Sequence, residues 1–82
     1  MEEFIKHFSE QFDDTDMDEF TPELVFHDLE EWSSIVGLAI LNMMIQKYKV
    51  RLSPGELANA VTVRDVWEIV QEKVEKGQKE IL

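Results

Sequence analysis

Residues Asp28–Leu41 read DLEEWSSIVGLAIL, and the change of character inside this stretch decides how the rest of the chain is read. Acidic positions stop at Glu31, two serines follow Trp32, and from Ile35 to Ile45 the only polar side chain is Asn42. A serine at a helix start accepts a hydrogen bond from an amide two or three residues on. The stretch therefore predicts a helix that begins at the serines and continues to about Tyr48. Lys47, Lys49 and Arg51 lie at or just beyond its expected end, where positive charge suits the helix dipole. A surface helix needs only a stripe of apolar residues, so the surplus here predicts either an exposed apolar patch or a central, largely enclosed helix.

Working outward, EEFIKHFSEQF places Phe4, Ile5, Phe8 and Phe12 at helical spacing, which predicts a helix over about 2–13. DDTDMDEF has no periodicity and reads as a solvated acidic loop. Thr21-Pro22-Glu23 puts a cap before proline, so a short turn of helix is expected to about Phe26. Downstream, Ser53-Pro54-Gly55-Glu56 has the form of a capping box with proline at the first helical position, for a short helix over about 54–59. Thr62 then precedes Val63, Val66, Trp67, Val70 and Val74, the apolar face of a last helix that Gly77 would end. The expected fold is all-α: a small four-helix bundle with a long first loop and a short third helix. One domain over 1–82 is expected, with a polar tail over 76–82.

Composition excludes several functions. The chain has 82 residues and no cysteine, so disulfides, thiolate metal sites and cysteine nucleophiles are ruled out. A net charge of −10 disfavours nucleic acid. No apolar run approaches the ~20 residues of a membrane span, and a monomeric cytoplasmic protein is expected. The charge is uneven. Residues 1–31 hold twelve acids and one base, Lys6, whereas residues 32–52 hold no acid and three bases.

Asp14, Asp16 and Asp18 fit the first three acidic positions of a calcium-binding loop, but Glu19 and Val25 stand where that loop needs glycine and a bidentate glutamate. No dedicated metal site is expected there. His7 and His27 match no ligand pattern and are expected to be partly exposed. Neither a nucleophile elbow nor a phosphate loop is present, and no enzyme activity or catalytic residue is expected.

The run from Asp28 to Ile35 resembles the attachment motif of acyl carrier proteins. That family shows Asp-Leu, a short spacer and Asp-Ser-Leu or Asp-Ser-Met at the start of its second helix. Asp28-Leu29 and Ser33-Ser34-Ile35 fill those places, with Trp32 in front as in the Glu-Trp-[Asp/Ser]-Ser variants. The helix order, size and acidity of most of the chain are similar too. The resemblance implies that Ser34 carries a covalent 4′-phosphopantetheine, transferred from coenzyme A by a magnesium-dependent phosphopantetheinyl transferase. It implies that Ser33 replaces the usual aspartate and caps the helix. The group's thiol would hold acyl intermediates as thioesters for acyl-loading, condensing or acyl-transferring enzymes of fatty acid, polyketide or other acyl or peptidyl biosynthesis.

Fatty acid carriers are usually acidic along the second helix. Here the equivalent face is Ile35, Leu38, Ala39, Asn42 and Ile45, with acids only before it at Asp28, Glu30 and Glu31. A specialised carrier with its own partners is therefore expected. Gly37, one turn after the serine, is expected either to leave room for a bound arm or to allow close packing of Leu57 or Val61. Met43 and Met44 are expected to fill the core or adapt to a cargo, and Trp32 to shield the serine or pack on the first loop. The competing function is an acidic helical adaptor without a prosthetic group that binds a protein partner through the same apolar face.

Overall fold

The computed structural model describes residues 1–76, and among these the fold is all-α with four helices. They are α1 (Glu2–Ser9), α2 (Ser34–Tyr48), α3 (Pro54–Asn59) and α4 (Val63–Glu75). Single 3₁₀ turns at Met17–Glu19 and Phe26–Asp28 punctuate the long first connection. The stop expected at Gly77, and all of the expected polar tail except Lys76, lie outside the described residues.

The last three helices begin where capping chemistry places them. Ser33 Oγ accepts from the Val36 amide at 3.3 Å. In α3, Ser53 Oγ accepts from the Glu56 amide and Glu56 returns the bond to the Ser53 amide at 2.8 Å. In α4, Thr62 and Asp65 form the same reciprocal pair, and Asp65 also accepts from the Val61 amide. These boxes satisfy amides that a helix start otherwise leaves unpaired. The amide bonds hold both carboxyls below the usual carboxylate range, with the Ser53 amide dominant for Glu56 and the Thr62 amide for Asp65. α2 ends on Lys49 in the left-handed conformation, φ 59°, with its amide bonded to the Ile45 carbonyl.

Two expectations from the first third of the chain need correction. α1 stops at Ser9 rather than near residue 13. The chain tightens into i→i+3 bonds, Gln11 to Phe8 and Phe12 to Ser9, and the Ser9 hydroxyl donates to the Lys6 carbonyl. Phe12 still reaches the core, so the apolar spacing survives although the helix does not. The turn of helix expected after Thr21 is likewise absent. Pro22–Glu23 forms a plain turn, Val25 is extended and pairs with Thr62, and the 3₁₀ turn begins only at Phe26. The cause is long-range: the Leu24 and Pro22 carbonyls accept from the first amides of α4, those of Val63 and Arg64. An Arg64–Glu23 ion pair at 3.0 Å lies beside them.

The core is aromatic on the loop side. Phe8 is fully buried, with the rings of Phe26, Phe12, Phe4 and Phe20 centred 5.3–6.1 Å from it. On the other side lie Ile40, Met43 and Met44 of α2, Leu57 of α3, and Val63, Val66 and Val70 of α4. α2 contacts all three other helices. Among the described residues, no helix is long and apolar enough to cross a membrane.

Candidate functional site

α2 is both central and partly uncovered. Its buried side consists of Gly37, Ile40, Met43 and Met44. On the opposite side Ile35 keeps 77% of its surface and Leu38 keeps 64%. Asn42 is exposed, and Ala39 and Ile45 are half-buried. The surplus of apolar residues therefore reaches the surface at the N-terminal half of the helix.

The two serines divide into different roles there. Ser33 is the N-cap, with extended backbone, and its hydroxyl is occupied by the Val36 amide. Ser34 is the first helical residue and is exposed. With Val36 bonded to the cap and Gly37 bonded to the Ser33 carbonyl, the amides of Ser34 and Ile35 are left at the positive end of the dipole. No acidic side chain stands in the first turn of α2.

Ser34 borders an open groove of about 550 Å³ between α2 and α3. Gly37, Leu38 and Leu41 line one wall and Pro54, Leu57 and Ala58 the other, with Trp32 and His27 closing an end. Gly37 lies in ordinary packing rather than at a forced approach. A Cβ there would sit 3.5 Å from the Trp32 ring and 3.7 Å from Leu57 Cδ2. Leu57 is the neighbour foreseen for it, whereas Val61 is 53% exposed. Of the two alternatives for Trp32, packing on the first loop is seen: it meets Phe26 edge-on at 5.1 Å, and it also borders the groove.

His27 has a role that sequence reasoning missed. Its Nε2 lies 3.1 Å from the Ala60 carbonyl oxygen and 3.4 Å from that of Leu57. Both partners only accept, so Nε2 carries a hydrogen and donates. His27 thereby ties the loop to the end of α3. No sequence signal was available for it, because nothing local links residue 27 to residue 60.

Glu30 and Glu31, both expected on the partner face, separate. Glu30 is exposed. Glu31 turns to the acidic loop and accepts from the amides of Asp13 and Asp14 and from the Thr15 hydroxyl at 2.9 Å. Its carboxylate thus closes the acidic loop, a role not foreseen beside its expected one as a partner contact. Asp14, Asp16 and Asp18 are exposed, and no group of three potential ligands among the described residues is placed to hold a metal ion.

Desolvation is the largest influence on Glu31 and would raise its pKa. The bonds from Asp14, Asp13 and Thr15 together outweigh it, and the carboxyl lies below its ordinary range. A depressed carboxyl stabilises the fold above its unfolded pKa of about 4.3, and that contribution is lost as pH falls through the lower folded value. The loop closure at residues 13–15 is therefore expected to persist at neutral pH and to release in acid. In a pH series of ¹H–¹⁵N spectra, the Asp13 and Asp14 amides should shift together with one midpoint below that of an unstructured glutamate. Amides that do not respond to this titration would show that Glu31 does not hold them.

No family model, curated protein or solved structure matches this chain. The functional reading therefore rests on the residues and their geometry.

Proposed function

We propose that this chain is an acyl-carrier-type protein whose Ser34 hydroxyl is the attachment point for 4′-phosphopantetheine. The observation that carries the reading is an exposed serine at the first position of a long helix, on the rim of an apolar groove. Each part fits the group. The Ser34 and Ile35 amides and the dipole favour a phosphodiester at this place, by about 0.3–1 kcal/mol for a surface site. The absence of an acid from the first turn removes a repulsion. The groove offers apolar walls within reach of the serine.

When bound, the group supplies a thiol that holds acyl cargo as a thioester. The residues of this chain position it. Ser33 fixes the start of α2, Trp32 and Gly37 shape the near end of the groove, and Leu41 and Leu57 give its two walls apolar surface. The partners implied are a phosphopantetheinyl transferase and enzymes that load, condense or transfer acyl groups. The carrier is a specialised one in this reading, because α2 has no carboxylate for a basic enzyme surface to grip.

The test is intact mass after incubation with coenzyme A, magnesium and a broad-specificity phosphopantetheinyl transferase. Gain of one phosphopantetheine supports the reading; no gain, repeated with the transferase of the native host, overturns it. The exposure of Ile35 and Leu38 favours a second reading, an adaptor without a prosthetic group. An adaptor keeps its partner and its role when Ser34 is replaced, whereas a carrier loses its role.

A further inference from the structure

Among the described lysines and arginines, Lys6 pairs with none and stands in α1 among Glu2, Glu3 and Glu10, and the other six fall into two groups. Arg64, Lys73 and Lys76 each pair with a carboxylate, Glu23, Glu56 and Glu72 respectively. Among the described residues, Lys47, Lys49 and Arg51 pair with none, although the protein carries a net charge of −10. All three are exposed at the C-terminal end of α2.

Their directions differ. At ~100° per residue, the α-carbon of Lys49, the C-cap, lies within about 20° of that of Leu38 around the helix axis, whereas Lys47 lies on roughly the opposite side. Arg51 is exposed between Val50 and Leu52, which are 1% and 4% exposed, so it faces away from the core. From its start to its end, the uncovered face of α2 therefore runs through apolar Ile35 and Leu38, neutral Asn42 and Gln46, and then cationic Lys49. The fifteen residues of α2 at 1.5 Å each separate Ser34 from this cation by about 22 Å.

We infer that this face docks on a protein partner that offers an apolar pocket to Ile35 and Leu38 and a carboxylate cluster to Lys49 and Arg51. The inference deepens the carrier reading by giving the sign of charge its partner presents at this end of the helix. An acidic protein ordinarily calls for a basic partner. Here a basic surface would meet two cations that pair with no described carboxylate, at the end of the helix that leaves Ile35 and Leu38 uncovered. An anionic membrane surface is disfavoured, because it repels a protein of net charge −10 with twelve acids in its first 31 residues. A second copy would bring those same acids together.

The experiment starts by placing a photo-crosslinking phenylalanine analogue at position 35 or 38 of the full chain in its native host. The captured protein is identified, purified and titrated against the full chain with Ser34 unmodified, so that failure of modification at Ser34 is read separately. The double variant Lys49→Glu/Arg51→Glu should bind about tenfold or more weakly, and added salt should narrow the difference. Lys47→Glu, on the far side, should stay within about twofold of wild type. Lysine in place of the partner carboxylate that crosslinking maps beside Lys49 should restore affinity for the double variant. Unchanged or tighter binding by that variant overturns the inference, with far-UV circular dichroism confirming its fold. So does capture of lipid, of a second copy of this chain, or of nothing from both positions.

Discussion

Phe26→Ala is expected to cost about 3–5 kcal/mol of folding stability. Phe26 is completely buried and lies at the junction of three segments. Its ring meets Phe8 of α1 edge-on at 5.3 Å, Trp32 before α2 at 5.1 Å and His27 at 4.3 Å. Aromatic pairs of this geometry are worth about 0.5–1.5 kcal/mol beyond the area they bury. A chain of this length has a total stability of roughly 4–12 kcal/mol at ordinary values per residue, so the variant should be marginal or unfolded. Phe26→Leu keeps most of the volume and should lose far less. Urea unfolding followed by far-UV circular dichroism measures both. A loss below about 1.5 kcal/mol for the alanine variant would show that the 3₁₀ turn is not part of the cooperative core.

The second large effect separates two adjacent serines. Ser34→Ala is expected to abolish phosphopantetheine loading outright, because no other hydroxyl stands at that position on the groove. Its stability should stay within about 0.5 kcal/mol of wild type, as for other exposed substitutions. Ser33→Ala should do the reverse. It removes the acceptor for the Val36 amide, at a cost of about 1 kcal/mol, and it leaves the nucleophilic oxygen in place. Loading should therefore continue in Ser33→Ala, more slowly if the first turn of α2 frays. Intact mass and a urea titration on the same two samples decide the matter. Loading of Ser34→Ala, or its loss from Ser33→Ala at full stability, would move the attachment point and sink the assignment of roles.

How much of this was legible depended on whether the deciding interaction was local. The starts of α2, α3 and α4 follow from Ser33, Ser53 and Thr62, each of which bonds an amide within three residues. The end of α1 was not legible. Phe4, Phe8 and Phe12 keep helical spacing, yet Phe12 is carried inward by an i→i+3 turn, and apolar periodicity does not distinguish the two so near a helix end. The loop-closing bonds of Glu31 were not legible for another reason. Its partners are 16–18 residues upstream, and an exposed-looking acid has no local mark of such a bond. Within the candidate site, Ser34, Gly37, Leu38 and Leu57 were foreseen. Pro54, Ala58 and His27 complete the groove only because α3 packs across α2 and the loop closes its end.

The borrowed carbonyls at the start of α4 also change what solvent exchange at that helix reports. The amides of Val63 and Arg64 find their acceptors at Leu24 and Pro22, 39 and 42 residues earlier in the chain. Fraying of α4 alone does not free them, and undocking of the loop does so even while the rest of α4 stays wound. Deuterium uptake at these two positions is therefore a clock for the loop. Its rate follows the opening of residues 22–25, a segment that by ordinary expectation would be the least protected in the molecule.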